Sequence, residues 1–422
     1  VNLLKTTLEN GLTVVLRETH SAPVTSVWIW YRVGSRNEHL GITGISHWVE
    51  HMLFKGTARW PRQKLDQAIA REGGYLNGMT WYDFTTYFET LPSAKAYLAL
   101  DIEADRMTNA LFDADEVAAE RTVVISERQG NENDPTFLLD EELTGAAFRV
   151  HPYGHDTIGH LCDLQTLTRD DLYAHYRTYY APNNAILAAA GDFNAGEMLR
   201  MIERAFDKIP PREPLPHVTA QEPPQRGERR VIVEGNAGTD YLALAFHTPQ
   251  ATHPDLHALT VLSTVLAGGA SSLVGSGSLT NYTSRLYRAV VARDLAAEVN
   301  ASLIPTVDPG LYRISATVLP DHTPAEVEDA LRAELELLRR ELITAEELAK
   351  AKRQARALFA FSSESITNQA FWLGFSEIFA DTSWFLHYLE RLEAVTAEDV
   401  LRVADTYLRP QNMTVGHYLT QD

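Results

Sequence analysis

Between Ile45 and Phe54 the chain reads Ile-Ser-His-Trp-Val-Glu-His-Met-Leu-Phe. On a helix, His47 and His51 stand four apart and Glu50 three after His47, so all three side chains project from one side. Ile45, Val49 and Met52 form an apolar stripe that would bury the other side. Two imidazoles one turn apart can reach a single zinc ion at about 2.0–2.1 Å, and a carboxylate beside them is placed to take a proton from water. The same spacing also describes a surface helix with two solvated histidines and a nearby acid. A second predicted helix, opened by Asp113 with Glu116 as a capping pair, carries Glu120 and Glu127. These two acids are seven positions apart and point the same way, which by itself describes an exposed acidic face equally well.

The elements that must hold these residues read as alternating strands and helices. Leu12–Leu16 and Val27–Val33 are expected to form an antiparallel pair, followed by a helix over 45–54. Helices near 62–72, 93–108 and 114–129 and a strand near Thr85–Leu91 complete the pattern. The fold class this implies is α+β: two homologous domains, each a mostly antiparallel sheet with helices packed on one face. The boundary comes from proline. Pro210, Pro211, Pro214, Pro216, Pro223 and Pro224 forbid a helix or central strand. The expected division is therefore a catalytic domain over 1–208, a linker over 209–230 and a second domain over 231–422.

The halves look duplicated. Residues 167–184 (LTRDDLYAHYRTYYAPNN) and 395–412 (VTAEDVLRVADTYLRPQN) align without a gap, with Thr168/Thr396, Asp171/Asp399, Thr178/Thr406, Tyr179/Tyr407, Pro182/Pro410 and Asn184/Asn412 identical. Each reads as a capped helix, broken at Pro and followed by an apolar strand.

The motif and its surroundings resemble the inverted zinc signature of the insulinase/pitrilysin peptidases: His47-x-x-Glu50-His51, with Glu127 well downstream of the second His. Gly34-Ser35-Arg36 precedes it, Phe54-Lys55-Gly56-Thr57 follows it, and Gly73-Gly74-Tyr75-Leu76-Asn77, His151-Pro152-Tyr153-Gly154 and Tyr180-Ala181-Pro182-Asn183-Asn184 extend the likeness along the chain. Within that family the half-length members, such as the mitochondrial processing peptidase and its bacterial relatives, are the nearest in pattern. The resemblance implies that His47, His51 and Glu127 ligate one Zn2+ per chain, that Glu50 is the general base, and that Glu120 is an outer acid orienting a ligand. It further implies that Asn77 and its edge strand clamp a substrate peptide, and that Phe54 lines an aromatic side-chain pocket, although core packing explains Phe54 equally well.

Where the second half would repeat the zinc helix, Thr260, Ser263 and Thr264 fall at the ligand and base positions, so a second site is not expected. Homodimeric relatives carry an Arg and a Tyr after a Ser-Arg-Leu-Phe-like stretch, and these bind substrate. Here Ser284-Arg285-Leu286-Tyr287 is present, Leu273–Thr283 looks inserted, and Val291 and Glu298 occupy the Arg and Tyr positions, with Arg293 nearby. The expectation is a zinc-bearing subunit whose homologous partner chain lacks the zinc motif and supplies that Arg and Tyr, or else a homodimer. Such an enzyme would be an endopeptidase cutting extended peptides inside a clamshell chamber. The alternative is a non-catalytic assembly or peptide-binding subunit of the same descent.

Composition limits the other classes. The 422 residues are 45% apolar and 22% charged with a formal charge of −19, which argues against a nucleic-acid or anionic-membrane partner. The single cysteine, Cys162, excludes an intrachain disulfide and a four-thiolate zinc site. The lone cysteine and the lack of a signal-like opening suggest a cytoplasmic location, or a periplasmic one if a signal peptide has been removed. His151, His155 and His160 lie in a loop-like stretch and read as structural. The Gly268–Gly277 stretch lacks the Gly-Lys-Ser/Thr of a phosphate loop and reads as a flexible loop.

Overall fold

The computed structural model describes residues 3–212, 215–268 and 282–421. Most of the Gly268–Gly277 stretch and of the Leu273–Thr283 insertion lies outside the described residues. In chain order the elements are β1 (Leu3–Thr7), β2 (Thr13–Glu18), β3 (Val24–Tyr31), α1 (Ile45–Leu53), α2 (Arg62–Arg71), β4 (Tyr75–Thr80), β5 (Thr85–Pro92), α3 (Ala96–Asn109), α4 (Ala114–Asn131), α5 (Pro135–Ala147), α6 (Leu161–Thr166), α7 (Arg169–Tyr179), β6 (Ala185–Gly191) and α8 (Ala195–Phe206). They continue with β7 (Arg229–Gly235), β8 (Tyr241–Thr248), α9 (Asp255–Ala267), β9 (Ala296–Leu303), β10 (Gly310–Val318), α10 (Pro324–Arg340), α11 (Ala345–Ser362), α12 (Ile366–Phe379), α13 (Thr382–Leu386), α14 (Tyr388–Ala394), α15 (Ala397–Tyr407) and β11 (Met413–Thr420).

Two sheets result, ordered β1-β2-β6-β3-β5-β4 and β7-β11-β8-β10-β9. Apart from β1 the order is the same, and each sheet carries one parallel pair, β2/β6 and β7/β11, among antiparallel neighbours. The duplication is also visible at the level of single hydrogen bonds. Thr168 and Asp171 form a capping box on α7, and Thr396 and Asp399 form the same box on α15. Asn184 Nδ2 donates to Tyr179 O at 2.9 Å, and Asn412 Nδ2 to Tyr407 O at 2.8 Å.

One expected pairing is corrected. β2 and β3 are not partners, because β6 lies between them, parallel to β2 and antiparallel to β3. Every residue of β6 is buried, so it takes the central place, and its small Ala188–Ala190 run lets both faces be closely covered.

The chain forms two compact units that are interleaved in sequence. One comprises residues 1–129, 155–219 and 363–385, the other 130–154, 220–362 and 386–422. The sequential division at residues 208 and 231 thus differs from the compact units by two exchanged segments, although the change near residue 219 falls inside the Pro-rich stretch. Each exchanged segment brings an apolar helix to a sheet face that would otherwise stay bare. In the first unit, Val27, Ile29 and Tyr31 of β3 face the core shared with α1, α3 and α8. Trp28 and Trp30 point the other way and meet Phe371 of α12, with ring centroids 5.3 and 5.1 Å apart. In the second unit Leu139 and Leu143 of α5 pack with Ala243, Ala245 and Tyr418.

Candidate metal centre

α1 is preceded by Gly44, in the left-handed region at φ +85° and without a side chain to cap the helix. The buried Glu38 carboxylate replaces that cap, accepting from Gly44 N and Ser46 N at 2.8 Å each. Burial pushes Glu38 up to about 7, against the pull of those amides. Just upstream, Asp163 accepts from Gly41 N and Thr43 N at 3.0 Å and from the Thr43 hydroxyl at 2.7 Å. On its buried side α1 rests on α7, where His175 Nε2 is 3.2 Å from Ser46 Oγ.

This anchoring presents the two histidines side by side, with His47 Nε2 and His51 Nε2 3.2 Å apart. α4, opened by Asp113 accepting from Asp115 N and Glu116 N, brings Glu127 to them. Its Oε2 is 3.6 Å from His51 Nε2 and 3.9 Å from His47 Nε2. Tetrahedral zinc with bonds of about 2.0–2.1 Å needs ligand atoms roughly 3.3 Å apart, so the three donors fit that ion with small adjustments. Among the described residues they form the one metal-competent cluster of His, Cys, Asp and Glu.

Glu120, two turns before Glu127, accepts from His51 Nδ1 at 2.9 Å. That bond fixes the ring with Nε2 toward the other donors. Lys55, just past the end of α1, pairs with the second oxygen of Glu120. Burial opposes a charge on His51, but Glu120, Glu50 and Glu127 outweigh it and raise its pKa. His47 is lowered to about 3 by burial and by His51, which keeps it neutral and able to donate a lone pair.

Glu50 is buried at 7% exposure, and Thr80 Oγ1 of β4 donates to it at 3.1 Å. Burial pushes its carboxyl up to about 7. Among the described residues β4 pairs with β5 alone and is a sheet edge, so the strand that holds Glu50 also presents open backbone groups. Asn77 lies on that edge, exposed, its side chain turned onto its own strand toward Tyr75 OH and Gly78 N. Phe54 caps the end of α1 and packs on Tyr87 at 5.6 Å, with the buried Arg106 guanidinium 5.2 Å from its ring centroid.

The histidines of the 151–160 stretch are engaged elsewhere: His151 Nε2 is 3.0 Å from Asp308, and His155 Nδ1 is 3.1 Å from Asp156 O. In α9, the Thr260 and Thr264 hydroxyls donate to carbonyls of their own helix at 2.9 Å. Sequence reasoning missed Glu38, Asp163, Lys55 and Thr80. The bare Gly44 at the helix start is the one signal that another residue's carboxylate has to stand in.

Residues 13–160 match the family described as Insulinase (Peptidase family M16), and residues 166–355 match Peptidase M16 inactive domain. An uncharacterized zinc protease of Mycobacterium bovis is 30% identical over 95% of this chain and 89% of its own length. A probable mitochondrial-processing peptidase subunit beta of Arabidopsis thaliana is 28% identical over 97% of this chain and 77% of its own length. The crystal structure of a protease from Helicobacter pylori superposes with a TM-score of 0.93 at 28% identity, covering 99% of both chains. Relatives named as zinc proteases thus run nearly the whole length of the sequence, and the chain belongs to the insulinase family, peptidase family M16.

Proposed function

We propose that this chain is a zinc-dependent endopeptidase acting on extended peptides, and that it is the metal-bearing half of a two-chain enzyme enclosing a clamshell chamber. The observation that carries the reading is the convergence of His47, His51 and Glu127 within bonding range of one ion, with Glu120 on His51 and a buried Glu50 alongside. His47, His51 and Glu127 would hold Zn2+, which when bound acidifies water and polarises a carbonyl. Glu50 accepts the proton of the attacking water and returns it to the leaving amine. Thr80 fixes the Glu50 carboxylate, and Glu120 keeps His51 in the tautomer that faces the ion. The β4 edge around Asn77 adds the substrate as a further strand, and Phe54 contributes to a side-chain pocket.

The partner reading rests on Val291 and Glu298. Glu298 is exposed on β9, and Arg293, the cation nearest in sequence, is exposed and donates to Ala289 O at 3.5 Å. A homologous chain bringing an Arg and a Tyr would supply the missing stabilisation of the tetrahedral intermediate, a contribution of about 10²–10³ in rate. The existence of a relative named as a subunit beta supports the same view.

The test is to incubate the zinc-loaded chain with unfolded peptides and follow cleavage by mass, with a chelator and Glu50→Gln as controls. Cleavage lost in both controls supports the assignment. A Glu50→Gln variant as fast as wild type refutes it, and full turnover by the isolated chain refutes the two-chain part.

A further inference from the structure

The ligands on α1 and the ligand on α4 are far apart in sequence, and the Glu127 side chain is nearly half exposed. Something other than Glu127 itself must therefore fix the distance between the two helices. Immediately after each of the two α4 acids at the site stands an arginine: Arg121 follows Glu120, and Arg128 follows Glu127. The two arginines share the spacing of the acids and lie on the adjoining stripe, about 100° round the helix.

Both guanidiniums reach one short stretch of chain. Arg121 Nη1 donates to Leu164 O at 2.6 Å and Nη2 to Leu167 O at 2.5 Å, satisfying carbonyls at the end of α6. The same guanidinium lies 4.8 Å from the ring centroid of Trp48, on α1 between the two histidines. Arg128, buried at 6% exposure, donates to Gly159 O at 3.2 Å. That stretch also holds the start of α1. Asp163 caps Gly41 and Thr43, His160 N donates to Thr43 Oγ1 at 2.8 Å, and a Cβ on Gly159 would collide with Gly44 N.

We propose that residues 158–167 act as a brace between the two metal-bearing helices, and that Arg121 and Arg128 are the positioning residues that lock α4 to it. The inference rests on the zinc reading of His47, His51 and Glu127. A metal site tolerates errors of only about 0.5 Å in its donors, so a clamp on the helix carrying one donor governs affinity without touching the ion. Packing alone would predict that these arginines affect stability and metal affinity in proportion.

The experiment measures the zinc dissociation constant by competition with a chromophoric chelator, the visible spectrum of the cobalt(II)-substituted protein, and the thermal midpoint of the metal-free chain. It compares wild type, Arg121→Met, Arg121→Lys and Leu335→Ala. Leu335 is buried in α10 of the other compact unit, so its truncation destabilises the chain far from the brace in sequence. Arg121→Met should weaken zinc about 10–100-fold and change the cobalt bands. Arg121→Lys, which keeps the charge but lacks the planar fork that meets both carbonyls, should fall between, and it carries the test if Arg121→Met does not fold. Leu335→Ala should lower the thermal midpoint and leave zinc affinity alone. Zinc affinity unchanged in the arginine variants, or equally weakened in Leu335→Ala, overturns the brace while leaving the metal reading standing. A wild-type chain that takes up no zinc overturns both.

Discussion

His175 offers a quantitative test of how α1 is seated. The imidazole is buried at 7% exposure beneath α1, with Ser46 Oγ at 3.2 Å and the Tyr179 ring 4.8 Å away. Burial lowers its pKa to about 3, against about 6.5 in an unfolded chain. Between those values the unfolded state binds more protons than the folded one, so the folded state loses stability as pH falls through 6.5. The contribution is complete above that pH. At pH 5 the loss works out to about 2 kcal/mol, and it continues to grow until about pH 3. His175→Gln removes the titration and keeps a polar side chain. Urea unfolding of metal-free wild type and variant should therefore show a stability difference that moves by about 2 kcal/mol between pH 8 and pH 5, the wild type losing more. Parallel pH curves for the two proteins would refute the reasoning, because His175 would then be ionising freely in the folded state.

Other outcomes follow from single contacts. Glu120→Gln leaves His51 Nδ1 with a neutral acceptor in place of a carboxylate at 2.9 Å, and zinc binding should weaken about 10–100-fold. Glu116→Gln, 3.6 Å from the same Lys55 and half exposed, should leave it unchanged in the same competition titration. Gly374→Ala should destabilise the chain by about 1–3 kcal/mol in denaturant, since a Cβ there would collide with the Trp30 indole at Nε1. The opposite result, a gain from better helix propensity of about 1 kcal/mol, would mean that α12 can move off the sheet.

The histidine helix and the second acidic helix are legible in the sequence because their information is local: 3.6-residue periodicity, a capping acid, and donors at one-turn and two-turn spacing. The duplicated segment is legible for the same reason, since capping boxes and helix-ending prolines are short-range signals. The strand order is not. An alternating strand announces its buried face and not its neighbour, and β6, which separates β2 from β3, arrives only after seven intervening helices. Nothing in the apolar pattern of α5 or α12 names the sheet each one covers. The supports of the site share this character. Asp163 acts on the backbone of a distant loop, Glu38 on the amides of Gly44 and Ser46 six and eight residues on, and Arg121 on carbonyls, groups every residue possesses and no sequence pattern marks.

The exchanged segment around α12 has a consequence for how the protein comes into being on the ribosome. The strands of the first sheet are complete once Gly191 has been made, but Trp28 and Trp30 wait for Phe371 and Gly374. At about 5–20 residues per second, translation leaves that aromatic face bare for roughly ten to forty seconds. During that interval the nascent chain carries the sequence of its candidate metal site yet presents the kind of surface that chaperones hold. A chain cut just after Gly191 would keep that face bare permanently. Neither half is therefore a folding unit on its own timetable, and the unit that gathers the two histidines is sealed only once residues 363–385 have been made.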